Sequence, residues 1–511
     1  MHPSDHAVTT PDKPAFIMAR TGIAVTYGQL DTRSNQIAHL LRSLGLQKGD
    51  VAALMMENNP RFFEIAWAIQ RAGMYFVCIA SRLTPDEVEY ILRDSGSKAF
   101  ITSRALEQTA SPLAEKISDL QLLMADGAVA PYRDLDILAA DQPETPIADQ
   151  ASGSDILYSS GTTGKPKGIK FPLSPDAPID TPDAMETMGK RSYGLSDNTV
   201  YLSPAPLYHA APLRWSMGVQ RLGGTVIVME KFDAEETLAL IERHRVTHAQ
   251  FVPTHFSRML QLPLEVRDKY SRPALEVAIH SAAPCPVQVK EAMIDWWGPI
   301  LMEYYGATET HGVTLIRTPD WLSHRGSVGQ AIFGELHICD ENGDEVPPRT
   351  IGTVYFGGGL PINYHNDPEK SAAAYNRHGW ATVGDIGWAD EEGFLYLTDR
   401  QSFMIISGGV NIYPQEIENL FSAHPEVADV AVFGAPDPDL GERVVAVIEP
   451  LAPDVDEARL RDDLLEYAGR SLSRIKMPKQ IDFRKELPRE PTGKLLKRLL
   501  KDEYAAAAKA N

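Results

Sequence analysis

Apolar and polar positions in the N-terminal third of the chain follow two alternating periods. In "RFFEIAWAIQRAG", Phe62, Ile65, Ala66 and Ile69 recur at i, i+3, i+4 and i+7, which predicts an amphipathic helix. The short apolar runs "DVAALMM" and "KAFITS" predict buried strands beside it. Farther on, "GGTVIVME" predicts a strand, and "DAEETLALIERHRV" predicts a helix whose acidic first turn suits the helix dipole. Strands alternating with helices imply an α/β fold with at least partly parallel sheets.

Two stretches break this rhythm. From Phe171 to Glu186 the chain reads "FPLSPDAPIDTPDAME", with four prolines and four acids, which predicts an exposed loop. Between about 325 and 400 the pattern turns β-rich, with glycine-containing turns in "GELHICDENGDEV", "GTVYFGGG" and "EEGFLYLTD". After Arg400 it starts afresh. "NIYPQEIENLFSAH" predicts a helix led in by Pro414, "VADVAVFGAPDPDLGERVVAVIEP" a strand, loop and strand, and "DEARLRDDLLEYAG" a second helix. The closing "YAAAAKAN" reads as the fraying end of a helix. Residues 1–399 are therefore expected to form a large N-terminal domain of α/β subdomains with a β-rich subdomain. Residues 400–403 would connect it to a small α+β domain at 404–511, a length sufficient for an independent core.

Composition narrows the class. At 511 residues the chain exceeds what one core supports. No run reaches the roughly 18 apolar residues of a membrane span. The start, "MHPSDHAVTTPDKPAF", lacks the basic-then-apolar pattern of a signal peptide, so a cytoplasmic protein is expected. Net charge is 49 − 69 = −20, which argues against nucleic acid or anionic membranes as partners. Cys78, Cys285 and Cys339 fit neither a disulfide framework nor a zinc set, and are expected to be buried as small apolar residues.

The candidate chemistry begins at Tyr158–Gly168, "YSSGTTGKPKG". The P-loop formula fails, because the fifth residue after Gly161 is Pro166. Phosphate binding survives as a reading. Gly161, Gly164 and Gly168 allow close backbone approach, Ser159, Ser160, Thr162 and Thr163 offer hydroxyls, and Lys165 and Lys167 add charge. By composition alone, a solvated glycine-rich turn fits as well.

The order of those residues resembles the signature of the adenylate-forming superfamily, which includes acyl-CoA synthetases, peptide-synthetase adenylation domains and luciferases. Further segments extend the resemblance from about residue 10 to 500. "YYGATET" (Tyr304–Thr310) resembles the family's Tyr-Gly-x-Thr-Glu motif. "TVGDIG" (Thr382–Gly387) resembles its Thr-Gly-Asp motif, with Val383 inserted. "DRQSFMIISGGVNIYPQEIE" (Asp399–Glu418) resembles the crossover into the C-terminal domain, and "PREPTGK" (Pro488–Lys494) the terminal Pro-Arg-x-x-x-Gly-Lys.

The resemblance implies ATP-dependent activation of a carboxylic acid to an acyl-adenylate with release of pyrophosphate, followed by transfer to a thiol. The substrate carboxylate is then the nucleophile, so the protein must position the reactants and cancel negative charge. By resemblance, the loop from Ser159 to Lys167 holds the β- and γ-phosphates, with Thr163 taking a direct part in catalysis. Thr308 contacts the α-phosphate, and Glu309 binds Mg²⁺, a cation commonly held by one or two carboxylates plus substrate phosphates. Adenine is expected between Tyr305 and the loop "HSAAP", through Ala282, Ala283 and Pro284, with Glu303, Tyr304 and Gly306 beside it. Asp385 and Arg400 are expected at the ribose. Lys494 is implied as the catalytic cation bridging the carboxylate and the α-phosphate. Family members swing the C-terminal domain about a hinge, here Ser402, where relatives usually carry Asp or Lys; a hinge needs permissive backbone angles more than charge.

The acid and the acceptor are less specified. "APLYHAAPLRW" (Ala205–Trp215) resembles the segment leading to the acyl pocket, with His209 at a gate position; a core histidine is the alternative. It carries no acid to pair with a substrate ammonium, which favours a non-amino acid. Pocket candidates are Ala210, Met217, Phe251, Thr254, Gly306, His311 and Val313. Met217 and Phe251 suit a core equally. The small Ala210, Ala211 and Gly306 suit a bulky fatty, aromatic or sterol-derived acid. For CoA, Gly408 and Gly409 would pass the pantetheine arm, and Lys476 and Lys479 in "SRIKMPK" would meet its phosphates or simply face solvent. The short tail after "TGKL" favours a free-standing ligase, with room for a homodimer. Transfer to a carrier protein, β-lactone formation and a silent ATP-binding protein are the competing readings; intact Lys494, Glu309 and Asp385 argue against the last.

Overall fold

The computed structural model describes the chain except for residues 160–165, 175, 401–402, 409, 490–494 and 511; the side chains of 159, 399, 400 and 508–510 are also outside the description. The fold is mixed α/β, as the alternating periods predict. Two compact units account for it. One comprises Met1–Phe251, Leu262–Ile279 and Asn363–Ala372, and the other Val252–Gln261, His280–Ile362 and Ala373–Asn511.

The first unit contains a parallel sheet in the order Arg133–Asp134, Gln121–Ala125, Ser97–Ser103, Val51–Met55, Tyr75–Cys78 and Ser154–Ser159. "DVAALMM" and "KAFITS" supply two of its inner strands, and their near-continuous burial is what a sheet covered on both faces requires. Lys167–Lys170 closes this sheet antiparallel to Ser154–Ser159, with Tyr158 opposite Gly168 and Ser159 opposite Lys167. The same unit pairs Pro14–Met18, Thr225–Val228, Val200–Ser203 and His248–Phe251 in parallel.

The helix Arg61–Arg71 forms where expected but differs in kind, because every residue from Phe62 to Arg71 is buried. Its polar side is absorbed by partners. Glu64 is bound by Arg61 and Arg33, Trp67 donates to Gln220 at 2.7 Å, and Arg71 pairs with Asp31 at 2.8 Å. The described residues of the proline- and acid-rich stretch are irregular as far as Asp183, which caps the helix Ala184–Tyr193.

In the second unit, Leu301–Gly306, Val313–Arg317 and Gln330–Phe333 pair antiparallel. A four-stranded antiparallel sheet follows, ordered Glu335–Cys339, Gly352–Gly357, Asp385–Ala389 and Leu395–Arg400, as the β-rich pattern predicts. Beyond it, Val427–Asp437 and Gly441–Pro450 form a long hairpin, joined by Ile405–Ser407 and Val410–Ile412 and by the parallel strand Gln480–Phe483. Alternate residues of the hairpin face two cores. Val430, Val432, Val444 and Ile448 pack with Ile417, Phe421, Leu460 and Leu464, while Ala431, Phe433, Val445 and Val447 pack with Leu487 and Leu500. The helices Pro414–Ser422, Glu457–Gly469 and Lys497–Ala510 match the expected positions. Cys78 and Cys339 are buried, Cys285 is half-exposed, and all three are free thiols.

Candidate active site

In the second unit, the motif "YYGATET" is built from a strand and a tight turn. Tyr304, Tyr305 and Gly306 end the strand Leu301–Gly306, and Gly306 lies opposite Val313 in the ladder. Between them, the Thr310 amide donates to the Ala307 carbonyl at 3.0 Å, and Thr310 takes a left-handed φ of 53°. The turn leaves Thr308 half-exposed while Glu309 is buried.

Tyr305 donates its hydroxyl to Asp385 Oδ2 at 2.6 Å. Asp385, 6% exposed, opens the strand Asp385–Ala389 and lies opposite Arg400 in the ladder with Leu395–Arg400. Backbone pairing thus brings the two residues expected at the ribose side by side. Upstream, the Thr382 hydroxyl donates to the Val354 carbonyl at 2.7 Å and accepts from the Gly384 amide at 3.0 Å, fixing the corner that aims Asp385.

The "HSAAP" loop begins at His280, the last residue of the strand Val277–His280. Ala282 has φ 76°, a left-handed conformation rare for a residue with a Cβ and characteristic of functional loops. Ala282 and Pro284 are exposed and Ala283 is half-buried. Glu303, expected among the nucleotide contacts, is buried with its carboxylate 2.5 Å from Lys290 Nζ.

His311 is 1% exposed, and its ring meets that of Phe356 edge-on at 5.5 Å. Burial lowers its pKa to about 4 against an opposing pull from Asp385, so the ring is neutral at pH 7. Gly359 presses on the same residue, since a Cβ there would lie 1.7 Å from the His311 carbonyl oxygen. Thr254 is half-buried, and its hydroxyl accepts from Arg489 Nη1 at 3.3 Å; Arg489 also pairs with Asp429. Burial and the nearby Arg258 lower the Arg489 pKa to about 10.

Of the CoA candidates, Gly408 is exposed with φ 57°, a conformation that favours glycine. Lys479 is exposed, whereas Lys476 Nζ is held by both oxygens of Glu416 at 2.6 and 2.9 Å.

In the first unit, the ladder described above pairs the two flanks of the glycine-rich segment. Lys167 stands 5.9 Å from the Tyr364 ring centroid, and the Gly168 carbonyl accepts from the His365 amide at 2.8 Å. The Tyr158 hydroxyl donates to Asp94 at 2.7 Å. His209, half-buried, stands at the N-cap of the helix Ala210–Arg221, with its ring 4.6 Å from that of Tyr208. Arg214 and Asp155 pair at 2.8 and 3.2 Å, tying this helix to the strand Ser154–Ser159. Ala210 is half-buried, and Met217 and Phe251 are buried.

Ser160, Gly161, Thr162, Thr163, Gly164, Lys165, Ser402, Gly409 and Lys494 lie outside the described residues, as do the side chains of Ser159 and Arg400. Sequence reasoning missed Lys290, and it gave Arg489 no role although that residue stands in "PREPTGK". Lys290 carried a signal, a charge at the apolar spacing of Val287, Met293, Ile294 and Trp297. Arg489 meets Thr254 across 235 residues, which no local pattern shows.

Among the described residues, no group of three or more His, Cys, Asp or Glu is arranged to hold a metal, and no helix is long and apolar enough to cross a membrane. Glu309, a buried carboxylate, fits a cation whose other ligands are phosphate oxygens and water.

Comparison with known proteins identifies the family of the chain as a whole. Residues 4–360 match the family model of the AMP-binding enzyme, and residues 416–494 that of the AMP-binding enzyme C-terminal domain. The chain is 33% identical to the long-chain-fatty-acid–CoA ligase FadD13 of Mycobacterium tuberculosis, over 98% of this chain and 97% of that one. It is 31% identical to the fatty acid–[acyl-carrier-protein] ligase ScoC of Streptomyces coeruleorubidus, over 98% and 95%. The solved structure of o-succinylbenzoate CoA synthetase from Bacillus subtilis, in complex with its acyl-adenylate intermediate, superposes with a TM-score of 0.80 at 27% identity, over 98% and 97%. The chain belongs to the AMP-binding enzyme family.

Proposed function

We propose that this enzyme is an AMP-forming acid–thiol ligase that activates a non-amino carboxylic acid with ATP and passes the acyl group to CoA. A carboxylate oxygen attacks the α-phosphorus, the bond to the β-phosphate oxygen breaks, and pyrophosphate leaves. The CoA sulfur then attacks the acyl carbonyl, and the bond to AMP breaks. The observation that carries this reading is the Tyr305–Asp385 hydrogen bond, with Asp385 opposite Arg400 in the ladder. It joins the two family motifs expected to hold adenine and ribose.

In this reading, Tyr305 and the backbone of 282–284 receive adenine, and Asp385 and Arg400 receive the ribose. Ser159–Lys167 binds the departing phosphates, and Thr308 the α-phosphate. Glu309 would hold Mg²⁺, which when bound supplies charge neutralisation at the phosphates. Lys494 is the cation at the reacting carboxylate. His209, Ala210, Thr254, His311 and Val313 belong to acyl recognition. Gly408 and Gly409 belong to the thiol path, and Lys479 is the better-placed CoA contact because Lys476 is engaged by Glu416. Residues 404–511 form the smaller domain, hinged at 400–403; supporting this, Ile405–Ile481 build an apolar cluster among themselves. A cytoplasmic location follows from the use of ATP and CoA.

A carrier-protein acceptor is the second reading, favoured by the similarity to ScoC. A panel of fatty, aromatic and sterol-derived acids, read by pyrophosphate release with and without CoA, tests both. Pyrophosphate release without any acyl-CoA would reject CoA as acceptor, and no ATP-dependent release with any acid would reject the ligase reading.

A further inference from the structure

Beneath the residues assigned to adenine lies a buried charge pair that the reaction does not consume. Lys290 sits on the inner face of the helix Val287–Trp297, 1% exposed, together with Met293, Ile294 and Trp297. Its Nζ lies 2.5 Å from Oε2 of Glu303, 4% exposed, on the strand Leu301–Gly306. Trp321 covers the ammonium at 4.8 Å. His280, fully buried, places Nε2 3.7 Å from the same carboxylate oxygen. Burial and Lys290 keep that ring neutral, and Phe256 packs edge-on against it at 5.3 Å.

Taking two charges out of water costs more than their attraction usually returns, and apolar replacements of such pairs are often as stable or more stable. Stability alone is therefore a poor account of this pair. Its place in the chain supplies a better one. Glu303 lies two residues before Tyr305 on one strand, so both side chains leave the same face. Lys290 lies on the helix that follows the 280–284 loop, and His280 opens that loop. The contact thus clamps together the two elements from which the two sides of the adenine site emerge.

We propose that Lys290 and Glu303 are positioning residues for the nucleotide, holding the strand that ends in Tyr305 at a set distance from the 280–284 loop. The inference rests on the reading that those two segments receive adenine. A strand held at another distance would loosen the base first, because Tyr305 stands two residues beyond Glu303 on it.

The test is ATP binding by calorimetry, without acid, on the full-length wild type and the double variant Lys290→Met/Glu303→Gln, which keeps volume and removes both charges. The double variant is expected to melt within a few degrees of wild type, to bind ATP about tenfold more weakly, and to raise the KM for ATP by more than it lowers kcat. Wild-type affinity in a folded double variant would overturn the proposal, since the pair would then be replaceable packing. If the double variant does not fold, Glu303→Asp and Lys290→Arg decide. Each keeps its charge but shifts the contact, and ATP binding weakened in both supports positioning, whereas unchanged affinity in either overturns it. A wild type that binds no ATP would instead overturn the reading of the site, and this inference with it.

Discussion

Tyr305 and Asp385 meet through a 2.6 Å hydrogen bond that joins the end of one strand to the start of another, across 80 residues of sequence. An ionised carboxylate has about four lone-pair positions, so this bond leaves Asp385 capacity to accept from a ribose. The bond also fixes the ring plane on which a base would stack. Tyr305→Phe keeps the ring and removes only the hydroxyl. A hydrogen bond to a charged group contributes about 1.5–3 kcal/mol, so the KM for ATP is expected to rise about tenfold, with kcat nearly constant. Steady-state kinetics on purified Tyr305→Phe checks this. A fall in kcat at unchanged KM would place the hydroxyl in the chemical step instead.

The close approach at Gly359 makes a second prediction, one about folding. A methyl group at Gly359 would stand 1.7 Å from the His311 carbonyl oxygen and 2.6 Å from its carbon, both of them backbone atoms that cannot rotate away. Gly359→Ala therefore forces a backbone shift next to the residue that follows Thr310. Overpacking of this kind costs about 1–3 kcal/mol, or more where backbone must move. Thermal melts should show a clear loss of stability, and a variant as stable as wild type would show that the approach is looser than described.

Much of the fold was legible because burial imposes its own period. The hairpin Val427–Pro450 shows alternate apolar residues serving two cores, and its strands can be read from the sequence. The helix Arg61–Arg71 was legible in position and misleading in exposure. Glu64, Gln70 and Arg71 look solvent-facing by spacing, yet all three are buried, with Arg61, Ser152 and Asp31 as partners. The site was legible where a motif is contiguous, as in Tyr304–Thr310, because its residues share one turn. Lys290 and Glu303 belong to different elements, and their pairing depends on how a helix lies on a strand. Hydropathy patterns do not contain that information.

Acid should destabilise the enzyme through its buried histidines, and His255 is the clearest case. It lies on the helix Pro253–Leu260, and burial, reinforced by Arg258, lowers its pKa to about 3. In the unfolded chain the ring titrates near 6.5, so between those values the unfolded state binds the extra proton. The folded state is then fully favoured above about pH 6.5 and loses about 1.4 kcal/mol per pH unit as pH falls toward 3. By pH 5 this residue alone accounts for about 2 kcal/mol. His248 and His280, lowered by the same burial, act in the same direction. Denaturant melts at pH 7 and 5 should show the loss, and His255→Asn should flatten the slope by about one proton. An unchanged slope would mean that His255 is protonated in the native protein.

The role proposed for Lys494 gives the sharpest separation of the two half-reactions. In the first, a carboxylate approaches a polyphosphate, and two anions must be brought within bonding distance; a cation between them lowers that barrier directly. In the second, a sulfur nucleophile attacks the carbonyl of a mixed anhydride whose leaving group is already activated, so the same cation has far less charge to cancel. Lys494→Ala should therefore reduce acid-dependent pyrophosphate release by about a thousandfold, the scale of losing one preorganised charge partner at a transition state. Thioester formation from synthetic acyl-adenylate and CoA should stay within a few-fold of wild type. Both rates come from one purified variant assayed with two substrates. Equal losses in the two assays would point to a general disturbance of the C-terminal segment, and unaltered pyrophosphate release would assign the catalytic charge to another residue.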